Sequence, residues 1–420
     1  MKRIPAIFII LFVVPACLYA QADTGELNSL KEEIRLLKTQ FEEMKSGYED
    51  KIKQLESKVE EISQGQSETQ IKVTQVASGP QSAAGRYLQY FNPDISVIGD
   101  FVYHGTDKKT DEIYNRFSMR EVEFAFSAAV DPYAKADIFL SVEPEESAVD
   151  LEEGYLTFLN LPIKGLQGKL GKFKSNFGKV NRLHRHQLPW ADEPNMLTNF
   201  FGSEGMSEPG ISASYLIPNP WDKYMELTFE VFNNRNSESF AGSSGRDMVY
   251  LTHLKNFFDI NEESTLELGM SFATGPNDDR HGKNRTNIEG IDLTYKWRPL
   301  KEGIYKSLTF QNEAFFSQKD NVIAEEGAGP KQIDSLGLYS SLQYQFAKRW
   351  SVFGRYDYSE FPNFASRSDN AYSAGLTFAQ SEYVFWRLQF KHTDRNYEKD
   401  SSEVWLQCNF GLGPHRKHEY

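Results

Sequence analysis

Val384-Phe385-Trp386-Arg387-Leu388-Gln389-Phe390-Lys391 carries an apolar side chain at every even position and, from Arg387 onward, a polar one at every odd position. A period of two sends successive side chains to opposite faces of an extended strand, one apolar and one polar. The pattern recurs. Leu266, Leu268, Met270 and Phe272 interleave with Thr265, Glu267, Gly269 and Ser271. Met225, Leu227, Phe229 and Val231 interleave with Glu226, Thr228 and Glu230, and Leu336, Leu338, Leu342, Tyr344 and Phe346 with Tyr339, Ser341, Gln343 and Gln345. A water-soluble sandwich would alternate in the same way, so strand number and connection length must decide the architecture.

Reading outward from these segments predicts strands at 94–104, 117–130, 133–143, 149–159, 165–174, 207–217, 223–235, 247–258, 263–274, 287–298, 305–317, 335–347, 350–360, 370–380, 381–395 and 402–413. That is sixteen, an even number, of the length a tilted membrane strand requires, about 9–11 residues. Connections alternate between short turns (131–132, 160–164, 218–222, 259–262, 347–349) and long polar loops (105–116, 175–206, 236–246, 275–286, 318–334, 361–369). Short turns on one side and long loops on the other are the layout of an all-β, sixteen-stranded antiparallel transmembrane barrel over residues 90–420. Aromatic residues near the predicted strand ends (Phe101, Tyr103, Phe257, Phe258, Trp297, Phe315, Phe316, Trp350, Tyr358) fit interfacial girdles. The last strand alternates through Val404, Leu406, Cys408, Phe410 and Leu412, and the chain closes on Tyr420.

Composition excludes several alternatives. The 420 residues are 14% aromatic and 25% charged, with a net charge of −13. So acidic a chain disfavours nucleic acid as a partner. Past residue 22 no run supplies the roughly 18 apolar residues of a spanning helix. Two cysteines, Cys17 and Cys408, cannot make a disulfide framework.

The amino-terminal part reads differently. Lys2 and Arg3, the apolar Ile7 to Val14 and Ala20-Gln21-Ala22 predict a signal peptide over 1–22. The rival reading is a lipoprotein box at Val14-Pro15-Ala16-Cys17. Leu27, Leu30, Ile34, Leu37, Phe41, Met44 and Tyr48, then Leu55, Val59 and Ile62, recur at spacings of three and four among Glu and Lys. They predict a self-associating α-helical coiled coil over 23–63, with the stripe from Leu30 to Ile62 as its seam. Its aromatic core positions suit three strands better than two. A polar linker over 64–89 follows. An even strand number returns both barrel ends to the short-turn side, so the coil is expected in the periplasm.

Charge concentrates around the long connection 175–206: Lys172, Lys174, Lys179, Arg182, His184, Arg185 and His186, then Asp192 and Glu193. Charge at a narrow point selects ions, because low-dielectric walls focus the field. These nine are the candidate constriction residues; the alternative is a solvated outer loop. His184 and His186, at i,i+2, are metal-ligand types, but two imidazoles make no site and no metal or cofactor is assigned. By alternation the candidate lumen wall includes Lys135, Lys169, Glu226, Glu230, Glu267, Arg355, Arg387 and Lys391. No local motif supports a nucleophile, so no catalytic residue and no enzyme is expected.

The barrel resembles a bacterial outer-membrane porin, similar to the phosphate-selective porin O/P group and to porins with an N-terminal periplasmic coiled coil. The resemblance is carried by the third long loop, by Asn92-Pro93-Asp94-Ile95-Ser96-Val97 and by Gly171-Lys172-Phe173-Lys174-Ser175-Asn176-Phe177-Gly178-Lys179. It implies a homotrimer in the outer membrane of a Gram-negative-type bacterium, among outer-membrane lipids. It further implies passage of small hydrophilic solutes or ions, with residues 175–206 folded inward as a constriction. The inner wall departs from a basic ladder, since acids are as frequent as bases, which puts phosphate selectivity in doubt. A structural tether, with the barrel anchoring the rod, is the other reading. Deletion of residues 23–80 is predicted to leave a folded barrel with weakened oligomerisation; a heat-resistant oligomer unchanged on detergent gels would refute the role of the heptad stripe.

Overall fold

The computed structural model describes residues 93–110, 114–143, 148–159, 161–233, 238–242, 247–278, 284–322 and 330–413. The signal peptide, coiled coil and linker expected from the sequence, together with His415, His418 and Tyr420, lie outside the described residues. Sixteen antiparallel strands form one closed barrel in which each pairs with its sequence neighbours and the last with the first. In chain order they are β1 (Asp94–Thr106), β2 (Arg116–Ala129), β3 (Ala134–Glu143), β4 (Ala148–Phe158), β5 (Leu166–Lys174), β6 (Ser207–Leu216), β7 (Tyr224–Asn233) and β8 (Met248–Asn261). Then come β9 (Ser264–Pro276), β10 (Arg285–Trp297), β11 (Ser307–Val322), β12 (Lys331–Ala347), β13 (Trp350–Phe361), β14 (Phe364–Ala379), β15 (Val384–Arg395) and β16 (Ser401–Leu412). Closure runs from Val97 opposite Leu412 to Thr106 opposite Glu403. No helix among the described residues is long and apolar enough to cross a membrane.

The register shows why alternation was so regular. Leu227, Phe229, Met270, Ile291, Leu342, Leu388, Phe390 and Leu406 all face outward and are exposed. Their neighbours face in, and most of those are buried because the interior is occupied. Three expectations are corrected. The segment 361–369 is no long loop: β14 starts at Phe364, and Phe361 pairs directly with it. Phe315 is not part of an interfacial girdle; it points inward, fully buried, edge-on to Phe177 at 4.9 Å between ring centres. β11 and β12 also run past their predicted ends, to Val322 and from Lys331.

Of six irregularities in register among the described strands, two place an extra charged side chain inside the lumen. Asp100 pairs with Glu121 but Phe101 with Met119, which leaves Arg120 unpaired. Phe139 pairs with Glu153 but Leu140 with Leu151, which leaves Glu152 unpaired. An extra residue lets two consecutive side chains share a face. Glu121 is thus buried beside an inward Arg120, and Glu152 and Glu153 are buried together.

Ile291 opposes Met270 at the middle of β10, the two being 61% and 57% exposed. A charge at this level of the outer face costs about 2–4 kcal/mol in lipid. Ile291→Lys is therefore expected to destabilise the barrel by that amount, and Ile163→Lys, in a turn, by under about 1 kcal/mol. Urea unfolding in liposomes measures both.

Candidate functional site

Residues 175–206 leave the end of β5 and enter the barrel. They form single 3-10 turns at Val180–Arg182 and Arg185–Gln187 and one short helix, α1 (Asn195–Phe201), which rests on β12 and β13. Pro194 precedes α1, and Gly202, at φ 83°, ends it. Apolar loop side chains Phe177, Val180, Leu188, Trp190, Met196 and Phe200 pack with inward wall residues Leu251, Ala273, Ile288, Phe315, Tyr339 and Phe353 in one buried cluster.

A loop away from any sheet must still satisfy its backbone, and wall side chains do this. Glu313 accepts from the backbone N–H of Lys179 (3.1 Å) and Val180 (2.9 Å). Gly178, at φ 62°, brings the chain so close to this carboxylate that a Cβ would collide with it. Glu230 accepts from Asn176 N (3.0 Å) and Nδ2 (2.6 Å). Arg387 donates to the carbonyls of Trp190 (2.7 Å) and Leu188 (3.1 Å), and Arg120, gripping Asp100, donates to that of Ala191 (2.7 Å).

Charges are matched across the gap. Lys179 Nζ lies 3.0 Å from Glu267. His184 meets Glu123, Glu152 and Glu153 at 2.8, 3.1 and 2.7 Å. Lys174 sits 3.0 Å from Glu152, and Arg185 lies 3.7 Å from Glu121 and 3.9 Å from Glu193. Asp192 is held by Arg355 (2.9 Å) and Lys391 (2.7 Å), and Gln389 donates to its second oxygen. Burial alone would raise the Asp192 carboxyl; Arg355 and Lys391 outweigh it, leaving the pKa well below the usual carboxylate range. Glu193 goes the other way, because burial prevails over Arg185 and Lys174. Burial works against a charged His184, and Glu152 and Glu123 reverse this, so its pKa stands well above that of a free imidazole.

Eight of the nine candidate constriction residues accordingly lie in or beside the loop within the lumen. His186 Nδ1 is 3.5 Å from Glu123, and Arg182 is half-buried. Lys172 is the exception and a correction. It pairs with Gly154 and the outward Pro209, and its amine reaches Leu151 O and the exposed Asp150 on the outer surface. Among the candidate wall residues, Glu230, Glu267, Arg355, Arg387 and Lys391 touch the loop. Lys135 (3.6 Å from Asp137), Lys169 (4.3 Å over the Tyr155 ring) and Glu226 (accepting from Tyr224 Oη at 2.8 Å) face in nearer the short-turn end. Sequence reasoning missed Arg120 and Glu152, which strict alternation assigns outward, and Glu313's role as a backbone acceptor, for which no sequence signal exists.

A closed sixteen-strand barrel with its longest loop folded into the lumen decides the architecture. The fold is that of a bacterial outer-membrane porin. Solved porin structures superimpose on most of this chain at low identity. The anion-selective porin from Comamonas acidovorans gives a TM-score of 0.52 at 11% identity, covering 76% of this chain and 99% of that one. The outer membrane channel DcaP of Acinetobacter baumannii gives 0.52 at 12%, covering 76% and 96%. Salmonella typhi OmpF, solved with daunomycin, gives 0.52 at 12%, covering 78% and 99%. An uncharacterized protein of Aquifex aeolicus (strain VF5) is 29% identical over 387 residues, 79% of this chain and 80% of that relative. No family model matches the chain.

Because its pKa is depressed, Asp192 contributes stability that is fully present above about pH 4, the unfolded carboxyl value, and lost as pH falls through the lower folded value. Asp192→Asn should remove this acid limb and lower stability at neutral pH. Unfolding in urea at a series of pH values reads both effects; parallel wild-type and variant curves would contradict the assignment.

Proposed function

We propose that the protein is an outer-membrane channel for passive diffusion of small hydrophilic solutes or ions, in which residues 175–206 form the constriction. The observation that carries this is a closed barrel with an apolar outer face whose longest loop is tied to opposite parts of the inner wall. Barrels of 16–18 strands enclose an aqueous lumen unless something fills it, so a loop there sets what passes. The similar structures, an anion-selective porin and an outer membrane channel among them, fit a role without catalysis. The coiled coil, on this reading, lies in the periplasm and joins three chains into a homotrimer. Lys174, Lys179, Arg182, His184, Arg185, His186, Asp192 and Glu193 are the constriction residues; most are paired with the wall, so selectivity follows the balance of lumenal charge rather than a row of free bases. The wall's acids against the loop's bases favour a general or mixed selectivity over a phosphate-specific one.

The apolar cluster within the lumen supports a second reading, a barrel that chiefly anchors a periplasmic rod. Planar-bilayer recording of the refolded full-length protein separates the two. Discrete steps, grouped in threes, are expected for the channel. Arg355→Gln with Lys391→Gln, which releases Asp192, should raise unit conductance, and neutralising Lys179, Arg182 and Arg185 should shift the reversal potential towards cation preference. A folded barrel that stays silent, wild type and variants alike, would leave the tether.

A further inference from the structure

The bulge in β4 gathers buried acids around His184 in a cluster that charge pairing alone does not account for. Glu123 on β2, Glu152 at the bulge and His184 in the loop are 2%, 7% and 3% exposed. One donor atom from each lies within 4.8 Å of the others. Glu123 Oε2 and Glu152 Oε2 lie 2.8 and 3.1 Å from His184 Nδ1, yet none of the three atoms has a hydrogen-bond partner of acceptable geometry. Glu152 uses its other oxygen, Oε1, for Lys174 at 3.0 Å. His184 uses its other nitrogen, Nε2, for Glu153 at 2.7 Å, and Phe139 flanks the ring at 4.8 Å between centroids.

This is the arrangement of a ligated histidine. A carboxylate that accepts a hydrogen bond from the N–H of one ring nitrogen fixes the tautomer and turns the other nitrogen's lone pair to the metal. With bonds of about 2.0–2.2 Å to nitrogen and oxygen, adjacent donors around one ion stand about 2.8–3.6 Å apart, the spacing seen here. His186 Nδ1, 3.5 Å from Glu123 Oε2, is placed to add a fourth donor. Glu123, Glu152 and Glu153 bring three negative charges and Lys174 returns one, so a dication balances the group. Imidazole beside carboxylate suits a first-row transition ion over magnesium or calcium.

We propose that Glu123, Glu152 and His184, with His186 beside them, bind one divalent first-row transition metal that pins the lumenal loop to β2 and β4. The site stands on the loop's place in the barrel and is independent of whether the barrel conducts. Full-length protein in detergent, stripped with chelator in mild denaturant and refolded, is titrated with Zn2+ alone. One equivalent per chain is expected, with a rise in the unfolding midpoint. Glu152→Gln and His184→Gln should each abolish saturable binding while the barrel stays heat-modifiable. Glu153→Gln should weaken it about 10–100-fold. His392→Gln, at an exposed His–Asp pair, and truncation after Gly413, which removes His415 and His418, should leave it unchanged. X-ray absorption of the wild-type zinc complex should show a mixed imidazole and carboxylate shell, and this reading needs no variant to fold. Absence of saturable binding, binding that survives both Glu152→Gln and His184→Gln, or a zinc shell lacking imidazole would overturn the site and leave His184 as an imidazolium paired with buried acids.

Discussion

Everything in this barrel follows from the ladder between β1 and β16. Lipid offers no hydrogen bonds, so a sheet within it must have no edge, and the pairing from Val97–Leu412 to Thr106–Glu403 removes the two that β1 and β16 would otherwise leave. Closure at sixteen strands also creates an interior too wide for the inward side chains alone to fill. The chain meets that second consequence with residues 175–206. A loop so placed carries polar backbone away from any strand partner, and the inner wall must supply the groups that a sheet or water would have given it. Glu230 and Glu313 accept its N–H groups, while Arg120, Arg355 and Arg387 donate to its carbonyls. The abundance of acids on the inner face is thus in part a requirement of the loop.

The pairing has a direction. The basic part of the loop, from Lys179 to His186, meets carboxylates of β2, β4 and β9, and the acidic Asp192 meets cations of β13 and β15. Buried ion pairs add little net stability over apolar contacts of the same size, but removing one partner leaves a costly bare charge. Their effect here is to allow one seating of the loop, while the cluster around Phe177, Trp190 and Phe315 provides cohesion. Trp190 joins the two: its ring packs on Tyr339 and under Arg355, and its carbonyl accepts from Arg387.

What the sequence made legible is the part governed by local rules. Alternation located the strands to within a few residues at most ends, because an outward residue in lipid and an inward one beside polar groups obey opposite preferences. The rule failed where tertiary structure overrides it. Arg120 and Glu152 sit at bulges, whose position depends on the partner strand. Phe315, Leu251 and Ile288 are apolar yet face inward, because the loop gives that region an apolar interior, and alternation cannot tell such a face from lipid. Lys172 was grouped with Lys174 and Lys179 by proximity in sequence; alternation puts Lys172 and Lys174 on one face, but Lys174 ends the strand and turns in to Glu152, and Lys179 lies in the loop, while Lys172 stays on the outer surface. Length alone marked residues 175–206 as special; that their charges are paired rather than free depends on residues up to 199 positions away.

The density of this pairing bears on how a porin fold should be read. Strand number fixes the bore of the bare cylinder, and it is the same bore whether the lumen is open or filled. Under the channel reading, the cross-section in this chain is set by the loop. Its hold on β2, β4, β9, β13 and β15 means that no single contact releases it. Several buried pairs would have to part together, each leaving a buried charge without its partner. Under the channel reading, permeability is therefore a property of the seated loop, and likeness in the barrel says little about which solute crosses. At two bulges of this wall one extra residue brings a second charged side chain to the loop, Arg120 beside Glu121 on β2 and Glu152 beside Glu153 on β4.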